Sequence, residues 1–324
     1  MMSRRNWILV AAIGLAAVIS LWSFVGGWYG SGPLAKDQHF IVPGGASLAA
    51  VAQRLEDKGV IRSASGFELR ARVFGGGGGI KAGEFAIPAH ASPSRVLAIL
   101  SSDEVIRRFV TVPEGMPSIM VYERLKAQDQ LSGEVASPDE GSVLPDSYAF
   151  ETGEPREAVL RRMQAAMTRT LKELWEKRAP GLVVKTPEQA LILASIVEKE
   201  TGKPSERRMV AGLYSNRLKQ GMMLQADPTI IYPITKGKAL GRRILQSEIQ
   251  AVNDYNTYTM VGLPKHPITN PGRESIAAVL NPAKTDALYM VADGTGGHAF
   301  ADTLAQHNAN VKKWFAIRRE RGEI

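Results

Sequence analysis

Residues Trp7 to Gly27 carry no charge and are mostly apolar. As a helix rising about 1.5 Å per residue, this run spans roughly the 30 Å hydrocarbon core of a bilayer. Trp7 marks one end, and Trp22, Trp28 and Tyr29 crowd the other, as interfacial aromatics do. Arg4 and Arg5 precede the run and only Lys36 follows closely. The positive-inside rule therefore predicts a cytoplasmic N-terminus and about 290 residues beyond the inner membrane, in the periplasm. A cleaved signal peptide would have a shorter apolar stretch ending in small residues, unlike Leu21-Trp22-Ser23-Phe24-Val25. The expected plan is a cytoplasmic segment (1–6), one transmembrane helix (7–29) and a linker (30–37).

The chain beyond the linker has ordinary globular composition. The 324 residues are 44% apolar and 22% charged, enough for two folded units behind the leader. Cysteine is absent, which excludes disulfides, thiolate metal sites and a cysteine nucleophile. Net charge is +8, which suits an acidic polymer or an anionic membrane face. The basic residues are spread out, apart from Arg4-Arg5 and a tail with Lys312, Lys313, Arg318, Arg319 and Arg321. No nucleic-acid signature accompanies them, so no nucleic-acid partner is expected and a solvated basic surface is the simplest reading.

A first small unit is expected over 38–103. Phe40-Ile41-Val42 reads as a strand, and Leu48, Val51, Ala52 and Leu55 recur at helical spacing. The plan returns at Phe85-Ala86-Ile87, then Ser92-Pro93 caps a helix carrying Val96, Leu97 and Leu100. Between them run five glycines, Gly75 to Gly79, read as a loop because no phosphate-loop lysine follows. A third strand–proline–helix unit, Phe109 to Leu125, opens the larger unit, 104–324. Helices are predicted there at 156–178, 187–201, 204–220, 245–252, 273–280 and 303–320. Strands are predicted at Thr229–Tyr232 and Leu288–Ala292, with Asp293 to Gly297 turning into His298-Ala299-Phe300. The pattern is α+β rather than a regular βαβ alternation.

The helix over 187–201 carries the chemistry. Thr186 caps it, Pro187 takes its first turn, and Gly202 and Pro204 end it. It is apolar nearly all round, which predicts deep packing. At about 100° per residue, Glu200 falls within about 20° of the stripe made by Leu193, Ile196 and Val197. Glu198 lies about 120–140° away, better placed to pair with Arg207, Arg208 or Arg217. Two readings of Glu200 fit this pattern. On an apolar stripe its pKa rises and it acts as a general acid; at a helix end it simply faces solvent.

The run Ala194-Ser195-Ile196-Val197-Glu198-Lys199-Glu200-Thr201 resembles the signature of the endolytic murein transglycosylases, the YceG-like family. Further segments come in the family's order. They include Asn216-Arg217-Leu218, Gln225-Ala226-Asp227-Pro228-Thr229, Tyr255-Asn256-Thr257-Tyr258-Thr259, Asn270-Pro271-Gly272 and Gly296-Gly297-His298. Pro145-Asp146-Ser147-Tyr148 is similar to a family segment usually richer in tryptophan. The likeness covers most of 104–315, and the anchor and first unit match as well; in this family that unit resembles a LysM peptidoglycan-binding module.

The resemblance implies that Glu200 is the catalytic residue, cutting the MurNAc–GlcNAc β-1,4 bond without water and leaving 1,6-anhydro ends. It implies endolytic action on nascent strands near penicillin-binding synthases. It calls for no cofactor and no metal; His266, His298 and His307 fit no zinc spacing and read as turn or surface residues. Gln225, Asp227, Tyr255, Asn256, Thr257 and Tyr258 are candidate substrate contacts, since amide, hydroxyl and aromatic groups suit sugars. Each also has a plain structural reading, a turn at Asp227-Pro228 or core packing for the tyrosines. Ser195 either orients Glu200 or bonds its own helix backbone, and Asp302 is expected to cap the last helix. Two alternatives remain: a muramidase using Asp227 or Asp254 as a second acid, and a noncatalytic membrane-anchored glycan-binding scaffold.

Overall fold

The computed structural model describes residues 4–75 and 78–324. Residues 1–3 of the expected cytoplasmic segment, and Gly76 and Gly77 of the glycine run, lie outside the described residues. Two compact units divide after Arg108.

The first unit runs α1 (Arg4–Tyr29), β1 (Gln38–Val42), α2 (Leu48–Asp57), α3 (Ala64–Phe74), β2 (Gly83–Ile87) and α4 (Pro93–Ser101). β1 and β2 pair antiparallel with Phe40 opposite Phe85, both buried in the core. Ser47, Ser63 and Ser92 cap α2, α3 and α4 by accepting from Ala50, Gly66 and Arg95 backbone N–H groups. Helix α3 has no counterpart in the sequence expectation. Its inward residues, Ala64, Phe67 and Ala71, include one large apolar side chain, too few for a clear periodic signal.

Along α1, residues Asn6–Tyr29 are long and apolar enough to cross a membrane. The two ends of the helix behave differently. Trp22 is 81% exposed, whereas Trp28 is 2% exposed and packs on Phe67 and Phe74 at centroid distances of 5.7 and 6.1 Å. Arg70 Nε also donates to the Phe24 carbonyl at 2.9 Å. Trp28 is therefore a core residue, not the interfacial aromatic expected from sequence. The segment read as a linker is likewise tied down: Leu34 is buried and its carbonyl accepts from His90 N–H.

The second unit contains β3 (Arg108–Thr111), α5 (Ser118–Lys126), β4 (Ser147–Phe150), α6 (Arg156–Glu176), α7 (Pro187–Glu200), α8 (Arg207–Lys219) and α9 (Pro228–Thr235). It continues with α10 (Gln246–Ile249), α11 (Arg273–Leu280), β5 (Tyr289–Ala292), β6 (His298–Ala301) and α12 (Leu304–Glu320). The architecture mixes α and β, with β3 on β4 and β5 antiparallel to β6. Helix α7 packs against α8 and α11, and also meets α6 and α9. Leu193, Ile196 and Val197 are fully buried there; each contributes about 1.5–3 kcal/mol through removal from water.

Three expectations are corrected. Thr229–Tyr232 is helical within α9: Pro228 occupies its first turn, and this outweighs the β-branched run Thr229-Ile230-Ile231. The helix expected over 245–252 shrinks to the single turn α10. Thr303, not Asp302, caps α12, accepting from Gln306 N–H in a capping box.

Candidate active site

The last turn of α7 separates its two glutamates. Glu198 Oε2 accepts from Gly272 N–H at 2.9 Å, and its Oε1 lies 3.7 Å from Arg207 Nη2. Arg207 is thus the base that the stripe geometry called for, and Glu198 ties α7 to the start of α11. Glu200 faces the other way, into a groove of about 360 Å³ lined also by Tyr214, Arg217, Gln225, Asp227, Tyr258 and His298.

The Glu200 carboxyl is pushed up to about 7, first by burial and then by the negative charge of Asp227. A hydrogen bond from Tyr214 and the charge of Arg217 pull the other way without cancelling it. Its Oε1 is buried with no hydrogen-bond partner. A carboxyl with a value near 7 is about half protonated at neutral pH, so it can both give and take a proton. Glu200 is thus half-buried in the groove, with one carboxyl oxygen fully enclosed, rather than at an open helix end.

The opposing wall is built on strained backbone. Gln225 adopts φ +51°, a left-handed conformation that costs a non-glycine residue about 1–2 kcal/mol. Thr257 holds it there: its carbonyl accepts from Gln225 N–H at 3.0 Å and its hydroxyl from Ala226 N–H at 3.0 Å. Asp227 follows, and its Oδ1 accepts from the Tyr258 hydroxyl at 2.6 Å. Gln225, Asp227 and Tyr258 therefore line one groove with Glu200.

The other candidate contacts lie elsewhere. Ser195, Asn256 and Thr257 are 0% exposed and have no surface to offer a ligand. Ser195 donates to the Ile192 carbonyl and accepts from Ile268 N–H, bracing α7 against the 267–270 loop. Asn256 donates to the Ile249 and Ala251 carbonyls and accepts from Tyr258 N–H. Their polar groups are consumed by the protein, so they support the wall from behind. Tyr255 does not line this groove; it packs on Tyr232 with ring centroids 4.9 Å apart. Asp254 is exposed and pairs with Lys265. Among the described residues, no three His, Asp or Glu side chains gather to hold a metal ion.

Residues 40–313 match the model of the YceG-like family. The chain belongs to that family. The endolytic murein transglycosylase of Bacillus subtilis (strain 168) is 26% identical over 325 residues, covering 89% of each chain. That of Streptococcus pneumoniae serotype 2 (strain D39) is 34% identical over 179 residues, 53% of this chain and 31% of that protein. The crystal structure of a YceG-like protein from Listeria monocytogenes shares the fold, with TM-score 0.54 and 24% identity across 85% of this chain and 98% of that one.

Three groove residues of this YceG-like chain escape a reading of the sequence alone. Tyr214 and Arg217 sit three residues apart on one face of α8, a spacing that could have found them. Arg217 is only 8% exposed; it donates to the carbonyls of Leu288 (2.6 Å) and Leu224 (2.8 Å), joining the wall to the residue before β5. His298, expected at a turn or surface, instead lines the groove.

These neighbours make the Glu200 value adjustable. Asp227→Asn removes a nearby negative charge and should lower it. Tyr214→Phe removes a donor to the charged form and should raise it. Burial is the largest cause, so neither change should return it to the ordinary 4.5. A carbon-13 NMR titration of the glutamate carboxyls in each variant reads this directly; equal midpoints in all three proteins would contradict the electrostatic account.

Proposed function

We propose that this chain is an endolytic lytic transglycosylase of peptidoglycan. It cleaves MurNAc–GlcNAc β-1,4 bonds, leaving 1,6-anhydro-MurNAc ends, with Glu200 as acid and then base. Glu200 carries the reading: an unpartnered, buried carboxyl oxygen, raised to about 7, lining a groove large enough for sugar. The relatives' shared name as murein transglycosylases supports the substrate class.

In the proposed cycle, protonated Glu200 gives its proton to the glycosidic oxygen as the C1–O bond breaks. The resulting carboxylate takes the proton of the muramic C6 hydroxyl as that oxygen bonds to C1. The two proton transfers are sequential, so one residue returns to its starting state and no second carboxylate is needed. The β-α-α-β order of the first unit supports the resemblance to a LysM-like glycan-binding module. Helix α1, of membrane-spanning length, supports attachment to the inner membrane, and Arg4-Arg5 before it support a periplasmic side for the residues that follow.

A hydrolytic reading retains one specific support, since Asp227 shares the groove with Glu200 and has the chemistry to activate water. Mass spectrometry of the products from defined glycan strands separates the two. Anhydro ends are expected throughout; reducing ends in their place would make the protein a muramidase.

A further inference from the structure

The groove holds a second polarised side chain that the proposed cycle does not use. His298 opens β6 and lines the groove beside Glu200. Its Nδ1 lies 2.8 Å from Glu206 Oε2, and Glu206 Oε1 accepts the His298 backbone N–H at 3.1 Å. Thr201, the residue after Glu200, adds a hydroxyl donor to Glu206 Oε2 at 3.3 Å. Burial opposes charge on Glu206, but the His298 bonds outweigh it and hold the carboxyl below its ordinary range. An ionised carboxylate only accepts, so a proton sits on Nδ1, and in the neutral form of the ring that leaves Nε2 as an acceptor.

The surrounding backbone is shaped to allow this pair. A Cβ on Gly297 would come within 2.1 Å of Glu206 Oε1, so glycine lets the carboxylate reach the strand. Asp293 closes the preceding turn by accepting from Thr295 and Gly297 N–H groups. The other nitrogen of a ring held by a part-buried carboxylate is thus directed by its partner, as oriented histidines are at working sites.

We propose that His298 Nε2 is a substrate-contact group that accepts a hydrogen bond from a hydroxyl or acetamido N–H of a bound amino sugar. Glu206 is the positioning residue that sets its tautomer. This deepens the transglycosylase reading and rests on it, because it assumes that the groove holds glycan.

The test uses the full chain in detergent with defined glycan strands. His298→Phe keeps a ring but removes the acceptor, and should raise KM about five- to tenfold, the scale of one neutral hydrogen bond. The products should keep the same ends. Glu206→Gln leaves the histidine in place, but a side-chain amide can donate to Nδ1 and move the ring proton to Nε2, so KM should rise similarly. His298→Gln supplies an amide acceptor and should recover part of the loss.

Nitrogen-15 NMR of His298 in the Glu200→Gln protein, in which turnover should be nearly abolished, should show Nε2 unprotonated and shifting when glycan is added. An unchanged KM in His298→Phe, or an Nε2 signal indifferent to glycan, would overturn the proposal. Near-wild-type cleavage by Glu200→Gln would instead sink the acid assignment, whatever His298 does.

Discussion

Glu200→Gln is expected to lower glycan cleavage by about 10²–10⁴-fold, the usual contribution of general acid–base catalysis. The amide is nearly isosteric, so the groove should keep its shape and still bind glycan. Its stability should change in the opposite direction from its activity. In the folded protein this carboxyl is raised to about 7 from an ordinary 4.5. The folded state therefore holds a proton that the unfolded chain releases between those values. Its contribution to stability is fully present below about 4.5 and is lost as pH rises through about 7. The amide has no such transition. The variant should melt close to wild type at about pH 4 and higher than wild type at about pH 8. Glu140, also raised to about 7 by burial, keeps some pH slope in both proteins. Melting curves at the two pH values, beside a cleavage assay, check both halves. A variant that cuts normally, or that melts lower at the higher pH, would contradict the buried-acid account.

Asn270→Ala should have the largest effect on stability, about 2–5 kcal/mol. Asn270 is 0% exposed. Its Oδ1 accepts from Val143 N–H at 3.0 Å, and its Nδ2 donates to the Met116 carbonyl at 2.9 Å and the Ser118 hydroxyl at 3.1 Å. One side chain thus joins the approach to α5, the 139–146 loop and the loop before α11. Alanine would leave the buried Val143 N–H without its partner, at about 1–3 kcal/mol, take one of two donors from the Met116 carbonyl, and open a cavity. Two residues on, Gly272 N–H holds Glu198, so the loss should reach α7. Denaturant unfolding monitored by tryptophan fluorescence measures this. A loss under about 0.5 kcal/mol would show that the three segments are held by other means.

Local chemistry was readable along the chain. Thr186-Pro187 starts α7 and Ser92-Pro93 starts α4, because a side-chain cap and a pre-set φ act within one turn. The stripe of Leu193, Ile196 and Val197 put Glu200 and Glu198 on different faces, since about 3.6 residues per turn is a property of the helix alone. The error at Thr229–Tyr232 has a matching cause. β-Branched residues read as strand, yet α9 offers no strand partner and packs on α7.

The amino-acid order by itself determined the membrane-length helix, most of the later helices, and which glutamate of α7 sits on the greasy face. These depend on spacing and on neighbours within a turn or two. Only tertiary structure decided what surrounds that glutamate. Tyr214 and Arg217 come from α8, Asp227 from the approach to α9, Tyr258 from a loop and His298 from β6. Tertiary packing also turned Trp28 inward and took Ser195, Asn256 and Thr257 out of reach of any ligand. A carboxyl's proton affinity depends on the dielectric and charge within a few ångströms of it, and those ångströms are filled by residues up to about a hundred positions away in the chain.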